Sequence, residues 1–410
     1  MSPISCPLWL GEIKVYATSM TNETDRIYLD NAATSWPKPE PVYAIVDRWM
    51  RELGAPAGRA SYGEAEEVER LIGQARNRMA QLIGCADSRR IVFTQNGTDS
   101  LNLSLHGTLR TGDHIITTVA EHNSVLRPLR QWEKDGGCEV TRLPVDGEGQ
   151  VNPADVAAAI RPNTSMIAVV HVSNVTGTIQ PICEIGEIAK QNGIRYLVDA
   201  AQSLGQLPID VNEIQASLLA APAHKGLMSP LGLGVLYVAE GVESHMQPTR
   251  QGGTGTESEL DIQPTELPSR YESGNHNVPA ILGLNEGLKF LQQGEGIPAV
   301  RDHHRGLTDR LVAGLNEVPG VTIYGPTDGN RRAGVVGMNC ADYDPRELAS
   351  LLDSAFGVQV RAGLHCAPLM HQQLGTTPNG GTVRFSVGCF NTTDQIDRAV
   401  DAVKEIAGAS

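Results

Sequence analysis

Asp199 and Lys225 are the side chains with the plainest chemical use in this chain. The run Arg195-Tyr196-Leu197-Val198-Asp199 is short, apolar and ends in a carboxylate, which predicts a buried strand delivering Asp199 to a sheet edge. Lys225 follows in Ala221-Pro222-Ala223-His224-Lys225-Gly226, a turn of small residues. In open α/β sheets ligands sit at the carboxyl ends of the strands. An amine able to form a Schiff base, with a carboxylate able to keep a pyridine nitrogen protonated, is the pair that pyridoxal phosphate requires as an electron sink. Taken alone, the two residues are more often a buried ion pair or an ordinary polar loop.

Other residues tip the balance. Gly97-Thr98-Asp99-Ser100 follows an expected strand and opens an expected helix, where backbone N–H groups and the helix dipole attract an anion such as a phosphate. The same residues are ordinary N-capping chemistry. His122 lies just past a strand end, placed to lie flat on an aromatic cofactor and to handle protons. Asn174 and Gln202 also end strands, where amide groups meet a ring oxygen or a carboxylate. Arg384, in an alternating strand, offers a fork for a substrate carboxylate. Cys366 stands in Arg361-Ala362-Gly363-Leu364-His365-Cys366-Ala367-Pro368, among basic and small residues that favour a thiolate, with Cys389 as its rival. Adjacent residues in an extended chain point apart, so His365 is poorly placed as a base for Cys366. A dinucleotide site is disfavoured, because Gly232-Leu233-Gly234 precedes a strand instead of following one.

These residues need a scaffold, and the chain supplies a rhythm of strand, loop and helix. Ile91–Thr94, His114–Thr117, Met166–Val172, Arg195–Asp199, Leu218–Ala221 and Gly234–Val238 read as strands, and Glu64–Ile83 carries helical spacing. The alternation predicts an α/β fold with a mostly parallel, mixed sheet between helices. Past a Gly, Thr, Glu and Pro-rich stretch at 254–267, Pro279–Gln293 and Asp302–Asn316 read as helices, and Val321–Tyr324, Val335–Asn339 and Val383–Val387 as strands. That predicts an extension over 1–26, a large domain over 27–267 and a smaller α+β domain over 268–410, on which the N-terminal segment can pack. The 410 residues carry 47 acidic and 33 basic side chains, a net charge of −14, which disfavours nucleic acid and anionic membranes as partners. Seven cysteines without metal-ligand spacing point to free thiols, no metal site and a cytoplasmic location.

Read together, Tyr28-Leu29-Asp30-Asn31-Ala32-Ala33-Thr34, Glu121-His122-Asn123-Ser124, Val198–Gln202, His224-Lys225 and Arg361–Ala367 resemble the pyridoxal-phosphate cysteine desulfurases of the class V aminotransferase group. The likeness is nearest to the branch with group II desulfurases and selenocysteine lyases. It implies a fold-type I homodimer in which Lys225 bonds the cofactor and Asp199 meets its pyridinium. His122 would stack on the ring, and Gly97, Thr98, Asp99 and His224 would hold the phosphate side. Asn174 and Gln202 would meet the ring oxygen, and Asn31, Asn174, Arg361 and Arg384 the substrate. Glu272-Ser273-Gly274-Asn275 would reach the partner subunit's phosphate. Where the family often carries a hydroxyl before His-Lys, this chain has Pro222-Ala223, and Asn275 and Asp99-Ser100 also depart from its usual residues. The implied reaction converts L-cysteine to L-alanine with sulfur passing to a Cys366 persulfide and on to an acceptor protein. A selenocysteine or cystine lyase, another reaction on the same scaffold, or a catalytically silent scaffold subunit are the alternatives.

Overall fold

The computed structural model describes residues 26–58, 61–256, 259 and 261–408, with two short strands ahead of them. Those strands, β1 (Leu8–Leu10) and β2 (Ile13–Val15), pair antiparallel. The rest of the expected extension lies outside the described residues, Arg26 excepted.

The large unit begins after β3 (Ile27–Tyr28) with α1 (Glu40–Arg48) and α2 (Gly63–Leu82). It continues through β4 (Ile91–Thr94), α3 (Gly97–Thr108), β5 (Asp113–Thr118), α4 (Asn123–Lys134), β6 (Cys138–Leu143), α5 (Pro153–Ala158), β7 (Thr164–Val170), α6 (Ile182–Gln191), β8 (Arg195–Asp199), β9 (Leu218–Pro222) and β10 (Gly234–Val238) to α7 (Val278–Leu291). Seven strands form one sheet in the order β4-β10-β9-β8-β7-β5-β6, and β10 alone runs against the others. The cause is legible in the residues: β9 and β10 are apolar and buried throughout, as strands covered on both faces must be. Successive side chains point to opposite faces. Tyr196 and Val198 therefore join the core of α2 and α7, and Leu197 joins that of α3 and α4. β6 is half-exposed at the sheet edge, and its weak alternation hid it from the sequence reading.

The second unit holds α8 (Ile297–Asn316), β11 (Val321–Tyr324), β12 (Val335–Cys340), α9 (Pro345–Phe356), β13 (Val358–Gln359), β14 (Arg361–Gly363), α10 (Pro368–Gln373), β15 (Thr382–Ser386) and α11 (Thr393–Gly408). α8 starts at Ile297 instead of Asp302, because Pro298 sits in the first turn, where a missing N–H costs nothing. Its antiparallel sheet has the order β11-β12-β15-β14.

The two cores divide differently from the sequence boundary at 267. Helix α7 packs wholly into the large core, whereas Ile27 and Leu29 belong to the second, where β3 pairs in parallel with β13. We therefore place the division after α7, with residues 27–29 assigned to the second unit and with Ile297 and Val300 of α8 and Met370 of α10 packing across it into the large core. Among the described residues no helix is long and apolar enough to cross a membrane.

Leu29 is fully buried in that second core. Leu29→Ala is expected to cost about 2–5 kcal/mol. Hydrogen exchange should show protection falling in β12 and β15 while β7 and β8 keep theirs; equal loss in both sheets would refute the division.

Candidate active site

All sheet strands but β10 point one way, so the loops after β4, β5, β7, β8 and β9 emerge on one edge. Asp199 ends β8 there, buried to 2% exposure. One of its oxygens accepts from the Ala201 N–H at 2.9 Å. Burial holds its pKa above the ordinary carboxylate value, against the backbone N–H and the nearby Lys225 that pull it down. Lys225 follows β9 in a turn built by close approach: a Cβ on Gly226 would stand 2.3 Å from the Leu204 carbonyl. The residue keeps some solvent contact, yet its amine is desolvated. Burial first, then Arg384, lower its pKa to about 8, and Asp199 opposes that shift.

The phosphate cup expected at Gly97–Ser100 is the first turn of α3, capped by Asn96, whose side chain accepts from the Asp99 N–H. Gly97 lies directly on β9, since a Cβ there would meet Pro222 at 2.8 Å. Thr98 Oγ1 is 2.8 Å from Ser124 Oγ, which is 2.9 Å from His122 Nδ1, so cup and histidine form one chain. The Ser124 N–H donates to His122 Nδ1 at 3.0 Å, which leaves the ring proton on Nε2. Burial first, and then neighbouring cations led by Lys225, push His122 down to about 4, so it is a neutral ring. Asp99 does not face the cup: its carboxylate accepts from the Gln95 N–H and from Arg250.

Asn174 lies in the loop after β7 and Gln202 in the loop after β8, each a few residues past its strand end. Gln202 donates to the Ala32 carbonyl at 3.0 Å, and Asn174 donates to the His365 carbonyl. His224 is drawn down to about 4 by burial and by Lys225, and its carbonyl accepts from Lys38 at 2.7 Å. The second unit contributes Arg384, buried on β15, which donates from Nη2 to Asp30 at 2.8 Å and from Nη1 to the Asn174 carbonyl at 3.1 Å. Arg361 stands opposite it in register on β14, exposed.

Cys366 is exposed. It and His365 hold consecutive left-handed conformations, φ 58° and 46°, which cost of order 1–3 kcal/mol each for such residues. The loop is pinned by its carbonyls. Cys366 O accepts from the Asn123 N–H at 2.7 Å, and His365 O from Asn174. The His365 ring turns into β15, with Nε2 3.0 Å from the Thr382 carbonyl, and does not serve the thiol as a base. Cys389 loses its rivalry: it lies 3.7 Å from His304 Nε2, and burial pushes its thiol up to about 12.

Two expected residues stand apart from this group. Asn31 spends its amide on the fold, donating to the Ser386 carbonyl at 3.0 Å and accepting from the Trp36 N–H at 3.2 Å. Asn275 is exposed in a separate groove beside Gln95, Arg250 and Glu272. Three contributors escaped the sequence reading: Asp30 on Arg384, Lys38 on the His224 carbonyl, and Glu121, wholly buried, accepting from Thr118 and the Val170 N–H. Asp30 and Glu121 sit inside the motifs quoted above, but a carboxylate's partner is not visible in one dimension.

The profile of the aminotransferase class-V family matches residues 27–399, and the chain belongs to that family. Within it the chain falls among the cysteine desulfurases, a group that works with pyridoxal phosphate. It is 35% identical over 391 residues to a probable cysteine desulfurase of Methanothermobacter thermautotrophicus, covering 94% of this chain and 95% of that one. It is 32% identical over 400 residues to the cysteine desulfurase of Haloferax volcanii, covering 96% and 92%. The apo structure of the Thermococcus onnurineus cysteine desulfurase superposes with a TM-score of 0.87 at 32% identity, covering 94% and 96%.

The lowered pKa of Lys225 has two consequences in cofactor-free protein. Since the unfolded side chain titrates near 10.4, the unfolded state binds more protons between pH about 8 and 10, and this group makes stability rise across that window. Its labelling by an aldehyde and a reductant should climb to a plateau just above pH 8, as read by peptide mass spectrometry. Continued rise through pH 10 would show an unperturbed amine.

Proposed function

We propose that this chain converts L-cysteine to L-alanine with pyridoxal phosphate, passing the sulfur to Cys366 as a persulfide. The observation carrying this reading is an exposed Cys366 whose loop is fastened, through the Asn123 N–H on its own carbonyl and the Asn174 amide on that of His365, to the loops after β5 and β7, on the same sheet edge as Asp199 and Lys225. The residues around Lys225 suit the cofactor, because four buried polar atoms there lack partners: Asn174 Oδ1, Gln202 Oε1, His224 Nδ1 and Arg384 Nε. A flat ring with a hydroxyl and a phosphate, together with a substrate carboxylate, matches such a set.

When bound, pyridoxal phosphate supplies an electron sink for the charge left at the substrate Cα. Asp199 holds the proton at the ring nitrogen, with the backbone bond from Ala201 fixing its direction. His122, neutral and protonated on Nε2, gives the ring a flat face without adding charge. The N–H groups of the first turn of α3, with Thr98 and His224, receive the phosphate, so the absence of a hydroxyl at Pro222-Ala223 is covered from the α3 side. Arg384 takes the α-carboxylate. The Lys225 amine, poised near pH 8, removes the Cα proton and can return it. Cys366 thiolate attacks the substrate sulfur: an S–S bond forms, the C–S bond breaks, and its electron pair stays with carbon, where protonation yields alanine.

Two copies of the chain would complete the assembly, the exposed Asn275 segment reaching the second copy, and an acceptor protein would draw the sulfur from Cys366.

Lys225→Ala should abolish both the visible absorbance of the purified protein and turnover. Cys366→Ala should keep the absorbance and lower sulfide and alanine release from L-cysteine by about 100-fold or more. Full activity in the Cys366 variant would overturn the persulfide role.

A further inference from the structure

Arg384 is buried, yet its guanidinium is not vacant. Nη2 donates to Asp30 Oδ1 at 2.8 Å and Nη1 to the Asn174 carbonyl at 3.1 Å, and Nε has no partner. Asp30 is placed over it by the backbone. The segment around it is fastened to β15 by the Ser386 N–H donating to the Leu29 carbonyl at 2.7 Å and by the Ala32 N–H donating to Ser386 Oγ at 2.8 Å. The Asp30 side chain retains 21% exposure against 3% for Arg384, so the carboxylate is on the solvent side of the pair. Around it stand the cations Arg361, opposite Arg384 in register, and Lys225, whose charge Asp30 favours.

A guanidinium has five N–H donors in a fixed plane. Two are spent here, and the bond to Asn174 sets the plane. An incoming α-carboxylate needs two parallel donors from the same fork. It must share Nη2 with Asp30 or displace it, and in either case a second anion approaches the first. That repulsion costs binding energy, and Asp30 is the group that levies it.

We infer that Asp30 is a positioning and selectivity residue: it holds Arg384 in place and competes with the substrate carboxylate for that guanidinium, which weakens anion binding at the site. This rests on reading Arg384 as the carboxylate receptor. The device has a use. Arg384 with Arg361 and Lys225 but without Asp30 would be a cluster of cations open to any small anion.

Removing the charge while keeping an acceptor is the test. Asp30→Asn should lower KM for L-cysteine about 5-fold and tighten competitive inhibition by acetate to the same extent, an effect carried by KM and not by kcat. Asp30→Glu, which restores the charge, should return both values to the wild-type range. The pH midpoint of Lys225 labelling in cofactor-free protein should also fall in the Asn variant and return in the Glu variant. A strut without electrostatic purpose would move none of these in opposite senses. Should Asp30→Asn fail to fold, Asp30→Ser keeps a short uncharged acceptor and carries the same expectation. Unchanged acetate affinity in the uncharged variants, or tighter binding in Asp30→Glu as well, would overturn the inference. If the wild-type protein does not turn over cysteine, the proposed reaction fails by itself, and acetate affinity measured by calorimetry still decides the role of Asp30.

Discussion

Withdrawal of the Lys225 amine from water is the condition to which the rest of the site answers. An amine in that environment gives up its proton more readily than one in water, and the neutral amine it yields is a nucleophile and a base. The surroundings push the same way: Arg384 and Arg361 disfavour the ammonium, and Asp199 and Asp30 limit how far the shift goes. The histidines follow suit, with His122 and His224 both held neutral. Glu121, behind Asp199, is pushed up to about 8 by burial, so a second carboxylate charge is kept away from the one that matters. The site therefore places one deliberate anion at the strand end and keeps its other titratable groups near the sheet quiet.

Assembly of the site depends on two units meeting closely. Lys225, Asp199 and His122 come from the large sheet, and Arg384 and Cys366 from the small one. Their meeting place is the loop after β7. Asn174 there donates to His365 and accepts from Arg384, and three residues on, the Gly177 carbonyl accepts from the Ala333 N–H at 2.9 Å. Gly177 has φ of 75°, and a Cβ would stand 2.2 Å from the Val335 carbonyl. No other residue lets the two backbones approach so closely.

The large sheet was legible in the sequence because its strands are short apolar runs ending in polar residues, a pattern with one good solution. Lys225, Asp199, His122 and Cys366 stand out in the sequence for a different reason: each is a chemically distinctive residue at the end of such a run or in a small-residue turn. What could not be read was pairing. Nothing in one dimension says that Asp30 meets Arg384, that Asn31 is consumed by Ser386, or that Lys38 reaches the His224 carbonyl. The boundary at 267 and the division of the cores differ for a related reason. The boundary follows a change in composition, whereas the cores are sorted by contact, and α7 is apolar enough to belong to the larger one.

The threading of β3 beside β13 bears on how the chain reaches its final form. Ile27 and Leu29 complete a core whose other members lie between Leu307 and Ile406. During synthesis the large sheet can close once β10 has emerged to fill the place between β9 and β4. Ile27 and Leu29, by contrast, must wait until β13 and β15 have left the ribosome. Sequestering them last makes the smaller unit the late step of folding. Because Asp30 follows directly on Leu29, the carboxylate that restrains Arg384 arrives only with that closing step. The partner that Arg384 keeps in the folded chain is therefore among the last that the chain delivers.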